Sequence, residues 1–224
     1  MSITICDCSD TAIKDITPQP DCIEQLTQVQ RAYFVKSGQI FADSQNSSNN
    51  VPATTSGLDF DTLAYWNVLG TATDDTHVVP APLFAGDISL TAGTIITKGG
   101  GDNTTLNGST QKTGTNPVDF TGRFDNLATQ TVFDIRQLEC NKNLGVFFVT
   151  SQGKIAVWQQ RDSTKAFTGV YTSIPVQAFS LGSKDNQGFA QDDTNIMTFQ
   201  IPANYDEYLT FVTPQDFEAL TVNF

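Results

Sequence analysis

The strongest pattern of apolar and polar residues lies between residues 118 and 158. A short alternating strand leads into a segment in which Ala128, Val132, Ile135 and Leu138 recur every three or four residues, as on one face of a helix. Such a face becomes stable mainly when another element covers it. We therefore predict an amphipathic helix packed on a sheet, with Val132, Ile135 and Leu138 in the core.

Two long strand pairs accompany this helix. Residues 144–150 and 154–158 are rich in β-branched and aromatic residues, and Ser151-Gln152-Gly153 between them fits a hairpin loop with glycine in the left-handed conformation. Residues 176–201 consist of two strand-like runs around a polar turn, and the second run alternates. This pattern predicts a second long antiparallel hairpin.

Two further elements complete the predicted fold. Residues 27–42 predict a hairpin that turns at residues 36–38, and residues 59–70 predict a second, short helix. In that helix Leu63, Trp66 and Leu69 share one stripe. We predict a mainly β fold, a β-sandwich or barrel, with one flanking helix and a second short helix.

The remaining segments divide the chain into one domain with two arms. Residues 1–26 show little periodicity and predict an extended N-terminal arm, residues 27–212 predict a single β-rich domain, and residues 213–224 predict a C-terminal arm. Within the domain, residues 98–117 hold five glycines and no aromatic residue, which predicts a long open loop without its own structure. Ordering such a loop requires a partner surface, so we expect it to cross a subunit boundary. The contact candidates in it are Gly99, Gly100, Gly101, Asp102 and Asn103.

The charge of the chain argues against nucleic-acid recognition. With 24 acidic and 12 basic residues the formal net charge is -12, and the sequence lacks the clustered Lys and Arg that displace counterions from phosphates. No stretch approaches the roughly 20 apolar residues of a membrane helix. Residues 1–15 also lack the basic and apolar parts of a secretion signal. We therefore expect neither a membrane anchor nor specific DNA binding, and a cytosol-like compartment.

Patterns that would indicate catalysis or metal binding are weak. The only histidine, His77, lies among two valines and a proline, without a G-x-S-x-G turn that would supply a nucleophile. The adjacent acids at 74–75 and 192–193 fit solvated turns better than a glycosidase pair. We predict no enzyme, no cofactor and no metal site. The four cysteines lack the paired CxxC spacing of zinc sites: Cys6, Cys8, Cys22 and Cys140.

Three stretches carry a resemblance to a known family: AYWNVLGTATDDTHVV, ITKGGGDNTTLNGS and FTGRFDNLATQTVFDIRQLECNKNLGVFFVTSQGKI. Together with the order of strand, helix, long hairpin and further strands, they resemble the tail-tube-type structural proteins of tailed bacteriophages over about residues 27–212. The resemblance implies a β-sandwich or barrel flanked by a helix, whose subunits close into hexameric rings. The rings stack around a channel through which DNA passes without specific binding.

The same resemblance implies where the remaining segments lie. Residues 98–117 would reach a neighbouring subunit or ring, and both arms would contact adjacent rings. The protein would be assembled in the host cytoplasm into a virion, with other virion proteins at the ends of the tube.

A channel through which DNA passes should not bind the DNA. We therefore expect acidic and polar residues on the channel wall, with Lys and Arg on outer or inter-ring surfaces. The strands within 144–158 and 176–201 are the predicted lining, because they form the longest strand pairs and supply alternating polar faces. The candidates that face the lumen are Gln152, Gln177, Asp192 and Gln200.

Two alternatives stay open at this point. The first is another virion component, such as a capsid decoration or connector protein. The second is a carbohydrate-binding or adhesion module, in which Trp66, Trp158 and Tyr205 would have to line a groove.

Overall fold

The computed structural model describes residues 26, 29–42, 58–86, 88–101, 108–161, 167–186, 188 and 191–223. The expected N-terminal arm, apart from Leu26, lies outside the described residues, as do Asp102 and Asn103. The predicted mainly β fold with two helices is confirmed. The strands are β1 (Val29–Lys36), β2 (Ile40–Ala42), β3 (Val79–Pro80), β4 (Ser89–Thr91), β5 (Ile95–Lys98), β6 (Gln111–Thr115), β7 (Val118–Asp125), β8 (Leu144–Thr150), β9 (Ile155–Arg161), β10 (Phe167–Thr172), β11 (Ile174–Leu181), β12 (Thr194–Ile201) and β13 (Leu209–Val212), and the helices are α1 (Leu63–Gly70) and α2 (Thr129–Gln137).

Strand β8 lies at the centre of the larger sheet, sheet A. One edge of β8 pairs with β1 along its length, and the other edge pairs with β9 and with the start of β11. Strands β10, β2 and β13 extend the sheet beyond β9, and β3 pairs with β1. Every residue of β8 is buried, because both faces of sheet A are covered.

Strand β11 joins sheet A to a second sheet, sheet B, in which the order is β11-β12-β7-β4. Residues 174–176 pair with β8, whereas Gln177, Ser180 and Leu181 pair with β12. Within the pairing with β12 the register shifts between Gln177 and Ser180, where Ala178 adopts a left-handed φ of 49°. An irregularity of this kind bends a strand, and here the same strand continues from one sheet into the other.

An inner core fills the space between the two sheets. Val146 and Phe148 of β8 meet Phe120 of β7 and Phe199 of β12 there. The rings of Phe120 and Phe199 stack with centroids 4.3 Å apart. Large aromatic side chains dominate core energetics, and each fully buried one contributes about 1.5–3 kcal/mol.

An outer core lies on the other face of sheet A, because successive residues of a strand point to opposite sides. Phe147 and Val149 of β8 pack there beneath α1, which contributes Trp66 and Leu69. The stripe predicted for α1 is thus turned into the core, where Trp66 and Leu69 have no exposed surface. The third residue of that stripe, Leu63, is half-buried.

Helix α2 packs against the inner core. Ile135 is buried there, and Val132 and Leu138 are half-buried against the same cluster. Residue 138 itself belongs to a short 3-10 turn that follows the helix. No side chain caps α2 at its N-terminus, where Ala128 is the N-cap residue.

The hairpin predicted within residues 27–42 does not form. β1 pairs with β8 and β3, and β2 pairs with β10. A turn sequence between two apolar runs therefore did not decide their pairing. Strand β1 instead pairs with a strand of its own length, and a core is built on each of the two faces of that strand. A short local hairpin cannot supply such a partner.

The open loop expected at residues 98–117 contains a strand. Residues Gln111–Thr115 form β6 and pair with β5, so that a two-stranded ribbon lies between β4 and β7. The ribbon is polar on both strands except for Ile95 and Ile96. Backbone pairing needs no apolar alternation, which is why the hydrophobic pattern did not reveal this strand.

The C-terminal segment lies on the outer core of its own chain, at variance with the extended arm expected for residues 213–224. Ala219 is fully buried, and the carbonyls of Leu220 and Val222 accept hydrogen bonds from Arg31 at 2.9 and 2.7 Å. The carboxylate of Asp216 accepts from the backbone N–H of Leu63 at 2.7 Å, at the start of α1. The irregular spacing of apolar residues gave no periodic signal for this docking.

A polar sheet face and a ribbon as the candidate functional site

Sheet B separates apolar from polar side chains along each strand. In β7, Val118, Phe120 and Phe124 point into the inner core, whereas Asp119 and Arg123 are exposed on the other side. Strand β12 alternates in the same way. Because the pairing keeps opposite residues on one face, the outward residues form rows across the sheet. We call this surface the polar face; it comprises Ser89, Thr91, Asp119, Thr121, Arg123, Asp125, Gln177, Ser180, Thr194, Ile196, Thr198 and Gln200.

The first row of the polar face crosses four strands. Gln177 of β11 is opposite Gln200 of β12, Gln200 is opposite Asp119 of β7, and Asp119 is opposite Thr91 of β4. The Nε2 of Gln200 donates a hydrogen bond to Oδ1 of Asp119 at 2.9 Å. The carboxylate of Asp119 therefore accepts its hydrogen bond from an uncharged amide.

The second row consists of hydroxyl side chains alone. Ser180, Thr198, Thr121 and Ser89 follow one another across the same four strands. Ser180, Thr198 and Ser89 are exposed, and Thr121 is half-buried. Such a surface offers weak donors and acceptors without charge.

The polar face carries little net charge. Arg123 lies opposite Ile196 and forms an ion pair with Asp125, two residues along its own strand, at 3.1 Å. Among the twelve residues of the face there are two acids, Asp119 and Asp125, and one base, Arg123, so their formal charge is -2 + 1 = -1. The chain as a whole carries -12. The face thus holds only a small part of the negative charge of a strongly acidic protein.

The four residues predicted for the lumen divide among three places. Gln177 and Gln200 are neighbours on the polar face. Asp192 lies in the loop before β12, where the Nδ2 of Asn126 donates to its Oδ1 at 2.6 Å. Gln152 is exposed in the turn between β8 and β9, on sheet A. Strand β8 has no exposed residue in the subunit, so it does not supply a lining face.

Sequence reasoning missed the outward residues of β7 and β4. The signal for β7 was present, because the sequence from Val118 to Asp125 alternates strictly between core and polar residues. For β4, three residues are too few to establish a period. Their positions follow only from the pairing of β4 with β7.

The ribbon of β5 and β6 is the second part of the site. Ile95 and Ile96 are 63% and 46% exposed. Lys98 and Lys112 are exposed as well, one on each strand. A two-stranded hairpin is marginally stable by itself in water, and here it also exposes two large apolar side chains. Such a ribbon is suited to bury this surface against another molecule.

The base of the ribbon is tightly closed. The backbone N–H of Asn116 donates to the carbonyl of Thr94 at 2.9 Å, and its Nδ2 donates to Thr94 Oγ1 at 2.8 Å. A Cβ placed on Gly93 would lie 1.8 Å from the carbonyl oxygen of Asn116, so only glycine allows the two chains to approach this closely.

Glycines shape the far end of the ribbon. Gly99, Gly100 and Gly101 all have left-handed φ angles, between 94° and 109°. The N–H groups of Gly100 and Gly101 both donate to the carbonyl of Gly108, at 3.1 and 3.2 Å. These candidate contact residues therefore belong to the turn region of the ribbon.

The aromatic residues of the adhesion alternative do not share a groove. Trp66 is fully buried in the outer core. Trp158 and Tyr205 pack against the inner core, where the Nε1 of Trp158 donates to the carbonyl of Tyr205 at 2.7 Å. Because the three residues lie in two different layers, they cannot form one stacking surface for a sugar.

A separate open groove of about 330 Å³ surrounds His77. Lys36 and Asp75 form an ion pair there at 2.6 Å. Asp74 accepts hydrogen bonds from the N–H and hydroxyl of Thr76, and these bonds lower the pKa of Asp74. Among the residues that the structure describes, no three His, Cys, Asp or Glu side chains are grouped to hold a metal ion. The groove thus offers a paired lysine and a turn, without a catalytic arrangement.

Comparisons with known proteins found no match: no protein-family model, no curated protein and no solved structure matches the chain. Within the described ranges, neither α1 nor α2 has the length and apolar character to cross a bilayer.

Proposed function

We propose that this chain is a structural virion protein of a tailed bacteriophage, a tail-tube-type subunit whose copies assemble into stacked rings around a DNA channel. The polar face of sheet B is the wall of that channel. The observation that carries the proposal is this face, which spans four strands, exposes hydroxyl and amide groups and bears a formal charge of only -1. The resemblance of the sequence to the same family supports it.

A wall of this kind lets DNA pass without holding it. Proteins that bind duplex DNA neutralise phosphates with Lys and Arg, and each such contact adds affinity and salt dependence. On the polar face the single arginine, Arg123, is paired with Asp125. The wall is less acidic than we expected from the sequence, and the excess negative charge of the subunit lies on other surfaces.

The ribbon supports the proposal that copies of the chain assemble. The described part of the chain leaves Ile95 and Ile96 exposed, and a contact with another molecule would remove this apolar surface from water. A copy of the same chain is the simplest partner, because most soluble oligomers are built from identical subunits with closed symmetry. Hexameric rings are what the family resemblance implies.

Of the alternatives, another virion component remains the second candidate. A decoration or connector protein would share the ribbon and the assembly, but it would not need a polar wall of low charge. The adhesion module is disfavoured, because Trp66 lies in a different layer of the protein from Trp158 and Tyr205.

Negative-stain electron microscopy of the purified full chain, over a range of protein concentrations, tests the proposal. We expect tubes, or stacked rings, with a stain-filled central channel. Closed rings that do not stack would favour the connector alternative. A monodisperse monomer at every concentration, or rings with a channel that binds duplex DNA tightly and in a salt-sensitive way, would overturn the conduit.

A further inference from the structure

The two edges of sheet B carry different elements. At the β4 edge the chain continues into the ribbon, which lies between β4 and β7 in sequence. At the β11 edge lies α2: Glu139, just after the helix, accepts from the N–H of Leu181 at 2.8 Å. Arg136 of α2 points the same way and reaches the carbonyl of Gly182 at 3.5 Å. Ribbon and helix thus flank opposite ends of one sheet.

One face of the ribbon combines an apolar and a basic side chain. Ile95 is opposite Thr115, and Thr97 is opposite Lys112, so these four residues share a face. The other face carries Ile96 and Lys98. Of the two isoleucines, Ile95 is the more exposed, at 63% against 46%.

The outward side of α2 combines an apolar and an acidic side chain. Phe133 is 58% exposed, whereas Ile135 turns into the core. The next residue, Asp134, is exposed and accepts a hydrogen bond from Gln130 at 2.8 Å. Arg136, one helical turn after Phe133, directs its guanidinium to β11, and Asp134, which follows Phe133 in sequence, is the acid on the exposed side of the helix.

We propose that the ribbon of one copy docks on α2 of a second copy, with Ile95 against Phe133 and Lys112 beside Asp134. The two surfaces are complementary, since each pairs one large apolar side chain with one charge, of opposite sign. The inference rests on the proposed function and names the contact that closes its rings.

The positions of the two surfaces fix the kind of contact. Within the described residues of one chain, Ile95 and Phe133 are both exposed. Their elements flank β4 and β11, three strand spacings or about 14 Å apart across the sheet. A contact between opposite edges of neighbouring copies joins different surfaces head to tail, and repetition of such a contact generates a ring when the rotation between copies closes. The same arrangement places the polar faces of successive copies side by side.

Charge exchange in the full chain tests this contact. We expect Lys112→Glu and Asp134→Lys each to raise the protein concentration needed for half-maximal assembly about fivefold, the scale of an exposed ion pair. The double variant Lys112→Glu/Asp134→Lys should regain most of the loss. Lys98→Glu is the matched control, because it makes the same charge change on the other face of the ribbon. Circular dichroism would verify that every variant is folded.

Disulfide trapping gives a second readout that does not depend on tube formation. In a background in which Cys6, Cys8, Cys22 and Cys140 are all replaced by serine, Ile95→Cys chains mixed with Phe133→Cys chains should form a crosslinked dimer under mild oxidation. Ile96→Cys chains mixed with Phe133→Cys chains are the control for the other face. Two results would overturn the contact without contradicting the tube. One is equal crosslinking of both mixtures, and the other is a loss of assembly by Lys98→Glu as large as that by Lys112→Glu. A chain that forms no tubes but still crosslinks Ile95→Cys to Phe133→Cys would overturn the tube and support the contact. Absence of both tubes and crosslinks would overturn the tube and the contact.

Discussion

Gln177 and Gln200 lie directly opposite each other on β11 and β12, and Gln200 donates in turn to Asp119 on β7. Two uncharged amides therefore lie beside the acid of this row. This relationship makes the behaviour of the polar face toward DNA directly testable.

A lysine on the polar face should convert a passive wall into one that binds DNA. Assembled Gln177→Lys protein is expected to retain duplex DNA at low salt, with retention that falls as salt rises, because each lysine in a ring neutralises phosphates. The unmodified assembly should retain no more DNA than an acidic control protein. Filter binding across a salt series measures this. Gln152→Lys adds the same charge in the turn of sheet A, and equal DNA retention by both variants would contradict the placement of the wall.

Removal of the ribbon should separate folding from assembly. The base is already closed by the hydrogen bond from Asn116 N–H to the carbonyl of Thr94, so an Asn-Gly turn can replace residues 95–115. We expect unfolding free energy within about 1 kcal/mol of the parent, because the ribbon adds no residue to either core. Sedimentation velocity should find only monomer. Normal polymerisation of the shortened chain would rule out a role for the ribbon.

Two substitutions on α2 distinguish its faces. Ile135→Asp should unfold the domain, since an unpaired charge in an apolar interior costs about 5 kcal/mol. Phe133→Asp, two residues earlier on the exposed side, should leave the unfolding free energy nearly unchanged. Urea denaturation followed by tryptophan fluorescence measures both. A native-like Ile135→Asp variant would be incompatible with the observed packing.

Arg31 should be essential for the docking of the C-terminal segment. It is buried, and its guanidinium donates to the carbonyls of Ala81, Leu220 and Val222 and to the side chain of Asn223. Arg31→Met should destabilise the fold by about 2–4 kcal/mol, because several buried carbonyls lose their donor.

Limited proteolysis should then cleave the C-terminal segment of the Arg31→Met variant faster than that of the parent. Lys36→Met is the control, since Lys36 makes an exposed ion pair with Asp75 and its loss should cost at most about 1 kcal/mol. Equal stability of the two variants would show that the hydrogen bonds of Arg31 contribute little.

Alkaline unfolding should report the burial of Tyr33. Burial raises the pKa of Tyr33 to about 12, against about 10 for an unfolded tyrosine. Between these values the unfolded state has lost a proton that the folded state keeps. Stability is therefore complete below pH 10 and falls by roughly 2–3 kcal/mol as pH rises to 12. The difference between the parent and Tyr33→Phe in urea unfolding at each pH isolates this contribution, and a constant difference from pH 9 to 12 would contradict it.

The local elements were predictable from the sequence because their signals are local. The spacing of Val132, Ile135 and Leu138 placed a helix on the inner core, and Gly153, with a φ of 76°, ends the turn before β9 as the hairpin chemistry predicts. The apolar stripe of α1 was found in the same way. Each signal lies within about ten residues of chain.

Pairing between distant segments was not predictable by the same means. The expected hairpin within residues 27–42 gave way to the pairing of β1 with β8, more than 100 residues away, because that partner completes both cores. The first N–H of α1 likewise donates to Asp216 of the C-terminal segment, 153 residues away. The four-strand rows of the polar face likewise depend on register, which is set by tertiary packing and not by any one strand.

Strand β11 has a mechanical consequence. Because its first residues are bonded to β8 and its later residues to β12, the two sheets share one backbone and cannot shear past each other unless that ladder breaks. The partner strand changes between Val176 and Gln177, so a pulling force would pass there from one layer to the other. A tube built from such subunits would bend at the contacts between copies, while each wall segment stayed rigid.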